Sequence, residues 1–217
     1  MKFTLIYDGP LPAGKKRRAE YASKIRNELH SQLRDLWNTH VLMRQLRHEA
    51  RAYKNSTIGG VVVPRKPVLL PDYWEEPPPL RNDEIDLCPP INVEGTGAFL
   101  PVVRSSLYLA CALDILFLRH EDPGRLFDLG GDIDNRLKCF FDGLTIPNPE
   151  QAKHGARPCA NPLYCLMEDD KHISDFSVRS GRLLGRNDKN ADDVRIQVDV
   201  TIKVLRVFHA NQFLIGG

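Results

Sequence analysis

The chain lacks any apolar run near the ~18 residues that a membrane-spanning helix requires, so no membrane is expected among its partners. Its opening, Met1-Lys2-Phe3-Thr4-Leu5-Ile6-Tyr7-Asp8, is too short and too soon charged for a secretory signal. It has no internal repeat. Its five cysteines are an odd number without framework spacing, which excludes a disulfide scaffold. A reducing, cytoplasmic setting is expected, with Cys111 and Cys139 as small core residues. Standard zinc spacing is missing too: His154, Cys159, Cys165 and His172 follow one another at intervals of five, six and seven residues. His30, His40 and His48 are likewise not at ligand spacing and read as surface or interface residues. Strong net charge is also absent, at +2 over 217 residues.

That near-neutral total hides an asymmetry. Residues 15–54 carry eleven Lys/Arg against four Asp/Glu, whereas residues 72–100 carry one Arg against seven Asp/Glu. The first segment suits an anionic partner, and the second a solvated or self-covering role. With 42% hydrophobic residues, the chain can fill one core of ordinary size. We expect a single domain over 1–217, with a Pro-rich irregular insertion at about 59–101 that holds nine of the sixteen prolines. Proline at this density argues against helix and central strand there. Val61–Val63 and Val68–Leu70 read as short edge strands or extended packing arms, and Tyr73-Trp74-Glu75-Glu76 is a candidate wrapping arm.

Elsewhere the periodicity is readable. Phe3–Tyr7 is a strand. Tyr21, Ile25, Leu29, Leu33, Leu36 and Trp37 follow helical spacing, in a helix expected from Arg18 to Tyr53 with a break or kink near His40. Its other face carries Lys24, Arg26, Arg34, Arg44, Arg47 and Arg51, which is either solvated or in contact with phosphate. Leu107–Arg119 reads as a central strand buried on both faces, where Asp114 needs a partner or a sheet end and is a further candidate for a minor role near a metal. Leu163–Met167 reads as a short strand, and Phe176 and Val178 continue the alternation. Val194–Val204 alternates strictly. The expected class is α+β: a mixed β-sheet with helices on one face.

The chemistry-bearing stretch is Gly130–Leu144. Two glycines permit a sharp turn. Asp132 and Asp134 follow, with Asp134 a candidate N-cap. Leu137, Phe140, Phe141 and Leu144 mark one buried helix face. Lys138 lies one turn inside, so its ammonium can return to the mouth formed by the two carboxylates. This pattern suits a hard divalent cation and an anionic substrate. Taken alone, Asp-x-Asp before a helix is more often a cap and a solvated turn. The later Glu168-Asp169-Asp170, the Lys four residues after Asp134, and the Phe-Asp-Gly-Leu helix end shift that balance.

At these residues the sequence resembles the RusA-like Holliday junction resolvases. That family is marked by an Asp-Leu-Asp-Asn turn, a Lys four residues on, a Phe-Asp-Ala-Leu helix end and an Asp-Asp pair. Here these read Asp132-Ile133-Asp134-Asn135, Lys138, Phe141-Asp142-Gly143-Leu144 and Asp169-Asp170. The resemblance implies Mg²⁺ (or Mn²⁺) on Asp132, Asp134 and Asp170, with Lys138 assisting catalysis and Asp169 supporting. It also implies a homodimer with two sites acting on branched DNA. Lys15, Lys16, Arg17, Arg18, Arg136 and Lys171 are the candidate nucleic-acid contacts, and His172 is a further candidate for phosphate. The family's arginine-rich loop before the aspartates is replaced here by Glu121–Asp128, with one arginine and three acids. The expected function is a Mg²⁺-dependent endonuclease. Its rival is a non-catalytic nucleic-acid or protein binding module on the same scaffold.

Overall fold

The computed structural model describes residues 1–14, 17–58, 61–64, 79–120, 132–184 and 192–215; for 53–58, 61–64 and 132 it describes the backbone alone. Lys15, Lys16, Val68–Leu70, Tyr73–Glu76 and the loop Glu121–Asp128 lie outside these residues.

The chain opens with β1 (Lys2–Pro10), α1 (Arg18–Thr39) and α2 (Val41–Glu49). Six strands follow: β2 (Arg51–Ile58), β3 (Val61–Pro64), β4 (Glu84–Asp86), β5 (Ile91–Val93), β6 (Gly97–Val103) and β7 (Leu109–Arg119). Then come α3 (Asp132–Leu144), α4 (Pro149–His154), β8 (Leu163–Met167), β9 (Ile173–Arg182) and β10 (Asp193–Val204). The class is α+β, and none of the described helices is long and apolar enough to cross a membrane.

The principal sheet has the order β1-β10-β7-β9, antiparallel except for the β7/β9 pair. Alternation in β10 decides its faces. Val194, Ile196, Val198, Val200 and Ile202 are buried, while Arg195, Asp199 and Lys203 are exposed. Ile25, Leu29, Leu33 and Trp37 of α1, with Phe140 and Leu144 of α3, pack into the same core. Full burial of each such side chain stabilises the fold by roughly 1.5–3 kcal/mol. The helices therefore cover one face. β7 is only half as covered as expected: Leu113, Ile115 and Phe117 are buried, but Leu116 and Leu118 on the outer face are half-buried. Asp114 lies on that outer face, away from α3, and is bonded to Ser177 (2.7 Å) and Arg179 (3.3 Å).

The long helix breaks where expected. His40 is extended, and its Nδ1 caps α2 by accepting from Leu42 N–H at 3.2 Å. The helical run ends at Glu49 rather than Tyr53, because Arg51–Ile58 turns into a strand paired with β3 and β4. Two of the basic residues placed on its outer face are buried instead, Arg26 at 4% exposure and Arg51 at 8%. His30 is also buried, since its Nδ1 accepts from Tyr164 N–H at 3.0 Å and ties α1 to β8.

Over its described residues, the proline-rich region is more regular than expected. β6 is the middle strand of the sheet β5-β6-β8, and it runs through Pro101. β5 reaches only as far as Phe99, so Pro101 has a strand on one side alone, where a missing N–H is tolerated. Phe99, Leu163 and Cys165 form a small second core beneath it.

Candidate active site

α3 begins at Asp132, two residues before the expected cap. Asp134 therefore lies inside the first turn, where the helix dipole still favours a carboxylate. Lys138 Nζ donates to Asp134 Oδ2 at 2.6 Å, and both side chains are more than half exposed. An exposed i,i+4 pair of this kind contributes little stability, so its lysine is readily lent to another anion.

The far end of α3 is gripped by two guanidiniums from α1. Arg26 donates from Nε to Thr145 O and from Nη2 to Asp142 O, both at 2.6 Å. Arg18 Nε pairs with the Asp142 carboxylate, and its Nη2 reaches Lys138 O at 3.3 Å. Cations at the last carbonyls satisfy acceptors that the helix cannot. Gly143 makes the close approach possible, because a Cβ there would lie 2.6 Å from Ile25 Cγ2.

β8 delivers the second acidic element. Asp169 caps the 3₁₀ turn Asp170–His172 by accepting from Lys171 N–H at 3.0 Å. That N–H holds the Asp169 carboxyl below its ordinary value. Asp170 is pushed the other way, first by partial burial, then by the hydrogen bond and charge of Asp169, and then by the charge of Asp142. α3 packs against this turn. Asp134, Lys138 and Asp142 stand at i, i+4 and i+8, so they form one stripe on α3, with Asp142 about 12 Å along the axis from Asp134. The structure thus sets the Asp169–Asp170 turn beside the Asp142 end of that stripe.

The donors are all carboxylate oxygens, the set a hard divalent cation takes, and crowding of like charge at Asp170 is what such an ion would relieve. Among the described residues no three acids, histidines or cysteines gather closely enough to hold a metal. Asp132, the third expected ligand, has its side chain outside the described set.

The candidate nucleic-acid contacts divide. Lys171 and Arg17 are exposed; Arg17 bonds Glu20 twice at 2.8 Å and lies 5.1 Å over the Tyr21 ring. Arg18 is partly exposed and serves α3. Arg136 is a correction: it is 5% exposed and donates to Leu11 O and to Asp192 Oδ1 (3.1 Å), so it braces the core instead of meeting phosphate. His172 is also buried, at 8% exposure. Asp142 reads from the sequence only as part of the Phe-Asp-Gly-Leu helix end, although its place four residues after Lys138 on the same face is a usable signal for a site residue.

No family model, curated protein or solved structure matches the chain.

Proposed function

We propose that the protein is a Mg²⁺-dependent endonuclease acting on branched DNA, working as a homodimer in the manner of the RusA-like resolvases it resembles. The observation that carries this reading is the packing of α3 against the Asp169–Asp170 turn, where partial burial first, and then Asp169 and Asp142, raise the Asp170 carboxyl. Asp142 and Asp170, 28 residues apart in the chain, thus share one neighbourhood.

In this reading Asp132, Asp134 and Asp170 would hold the cation once the first turns of α3, about 12 Å from the Asp142 end that faces Asp170, close on it. The ion would supply Lewis-acid polarisation of the scissile phosphate and make a bound water more acidic. Lys138 transfers its ammonium from Asp134 to the phosphoryl oxygens, neutralising charge that grows in the transition state. Asp169 fixes the turn through Lys171 N–H. Arg17 and Lys171 attract the phosphate backbone.

We expect Asp132→Asn and Asp170→Asn each to lower Mg²⁺-dependent cleavage of a four-way junction by at least about 100-fold, while junction binding survives. Lys138→Ala should lower the turnover rate more than the junction affinity. The measurement is a gel assay on a four-way junction, a fork and a linear duplex, with and without Mg²⁺. If neither aspartate substitution changes cleavage, the hydrolase reading fails. If the wild type binds junctions but cleaves none, the chain is a binding module.

A further inference from the structure

The acidic pair is bolted down on both sides. Glu168, just before it, donates its N–H to Val103 O at 3.1 Å. The Glu168 Oε2 accepts from Ser105 N–H at 3.0 Å and from Ser105 Oγ–H at 2.8 Å. His172, just after the pair, has its Nε2 3.2 Å from the same Ser105 Oγ and 3.5 Å from Glu168 Oε2. Its Nδ1 lies 3.1 Å from Leu109 O. A carbonyl only accepts, so Nδ1 carries the hydrogen. One residue at the β6–β7 junction therefore joins the two ends of the run 168–172.

The start of β9 is fixed as well. Cys111 pairs with Ile173 but Ala112 pairs with Asp175, so Ser174 is an extra, bulged residue. Its Oγ donates to Cys111 O at 3.1 Å, closing the gap that the bulge leaves. Bulges re-aim chains beside functional sites. A plain surface turn would not need a buried imidazole, a carboxylate and a hydroxyl all aimed at its own flanks.

We propose that Glu168, Ser105 and His172 are positioning residues that hold the Asp170 carboxylate in its place facing α3; this rests on the nuclease reading above. Outer partners that orient a metal ligand typically change metal affinity or activity about 10–100-fold when removed. Ser105 is exposed, so its hydroxyl can be removed with little burden on folding.

The test is Mn²⁺ binding, read by the electron paramagnetic resonance of free Mn²⁺, alongside the Mn²⁺ dependence of junction cleavage. For Ser105→Ala and His172→Phe we expect the half-saturating Mn²⁺ concentration to rise about 10-fold or more, with turnover recovered at saturating Mn²⁺. Glu168→Ala, which removes the oxygen that accepts from Ser105, should raise the half-saturating concentration in the same way. Should His172→Phe fail to fold, Ser105→Ala decides alone. Folded variants with unchanged Mn²⁺ affinity overturn the positioning role and leave the hydrolase reading standing. A wild type that binds no Mn²⁺ overturns both.

Discussion

Sulfur placement shows how strongly single residues are specified. Burial pushes the thiols of Cys88, Cys111 and Cys165 up to about 12 and that of Cys139 up to about 11, so the reactive thiolate is suppressed at neutral pH. Cys159 is exposed. We expect a maleimide at pH 7.5 to label Cys159 quickly and the other four only after unfolding, as mass spectrometry of the labelled chain will show. Rapid labelling of a second cysteine in the folded protein would contradict this packing. Arg26 is the other decisive residue. Burial brings its guanidinium down to about 10, yet it stays charged at neutral pH on the Asp142 and Thr145 carbonyls. Arg26→Leu removes these donors from the end of α3 and should cost about 2–4 kcal/mol in urea unfolding.

At the level of elements, the contact between α1 and α3 is set by a missing side chain. Alanine at 143 would favour helix by about 1 kcal/mol. Its Cβ would nevertheless fall 2.6 Å from Ile25 Cγ2 and 2.7 Å from Ile25 Cβ, with Ala22 O at 3.3 Å. Overpacking of this kind costs about 1–3 kcal/mol. We expect Gly143→Ala to be net destabilising in urea melts, and to weaken Mg²⁺-dependent cleavage by displacing α3 from the acidic turn. The α1–β8 contact depends on pH. Desolvation, followed by the charge of Arg34, lowers the His30 pKa from its ordinary 6.5. Near and below that value the unfolded chain binds a proton that the folded chain refuses, so stability falls as pH drops through about 6.5. The difference in unfolding free energy between wild type and His30→Gln should therefore shrink from pH 8 to pH 5.

The same elements show what could be read in advance. The strands β1, β7 and β10, the stripe on α1 and its break at His40 follow from periodicity and from residues a few positions apart. So does the Asp134–Lys138 pair. Arg136, Arg26 and His30 could not be read this way, because their partners lie far along the chain, at Leu11, Thr145 and Tyr164. A charged or imidazole side chain looks superficial until the carbonyl or amide that it serves is known. β6 was obscured by composition: its proline is harmless only because β5 stops short of it. Asp142 belongs to the site through a neighbour 28 residues away, which no local pattern displays.

For the molecule as a whole, charge is distributed along a path and not in excess. The total of +2 cannot by itself drive strong binding to a polyanion. What the fold does is bring the first turn of α1 to the acidic turn, since Arg18 holds Asp142, whose charge in turn bears on Asp170. Arg17, next to Arg18, and Lys171, next to Asp170, are exposed, each already lent to a nearby acid, Glu20 and Asp169. A phosphate has to compete with those acids, so the contribution of each cation will show mainly in the salt dependence of binding. For a four-way junction without divalent ions, Arg17→Ala should make the slope of log K against log salt shallower by about 0.9, and Lys171→Ala should do the same. Arg136→Ala should lower the melting temperature and leave the slope unchanged, because its guanidinium is spent on Leu11 and Asp192. If the slope is the same in wild type, Arg17→Ala and Lys171→Ala, the duplex arms do not run past the α1 terminus. The phosphate path would then have to be sought on another face of the sheet.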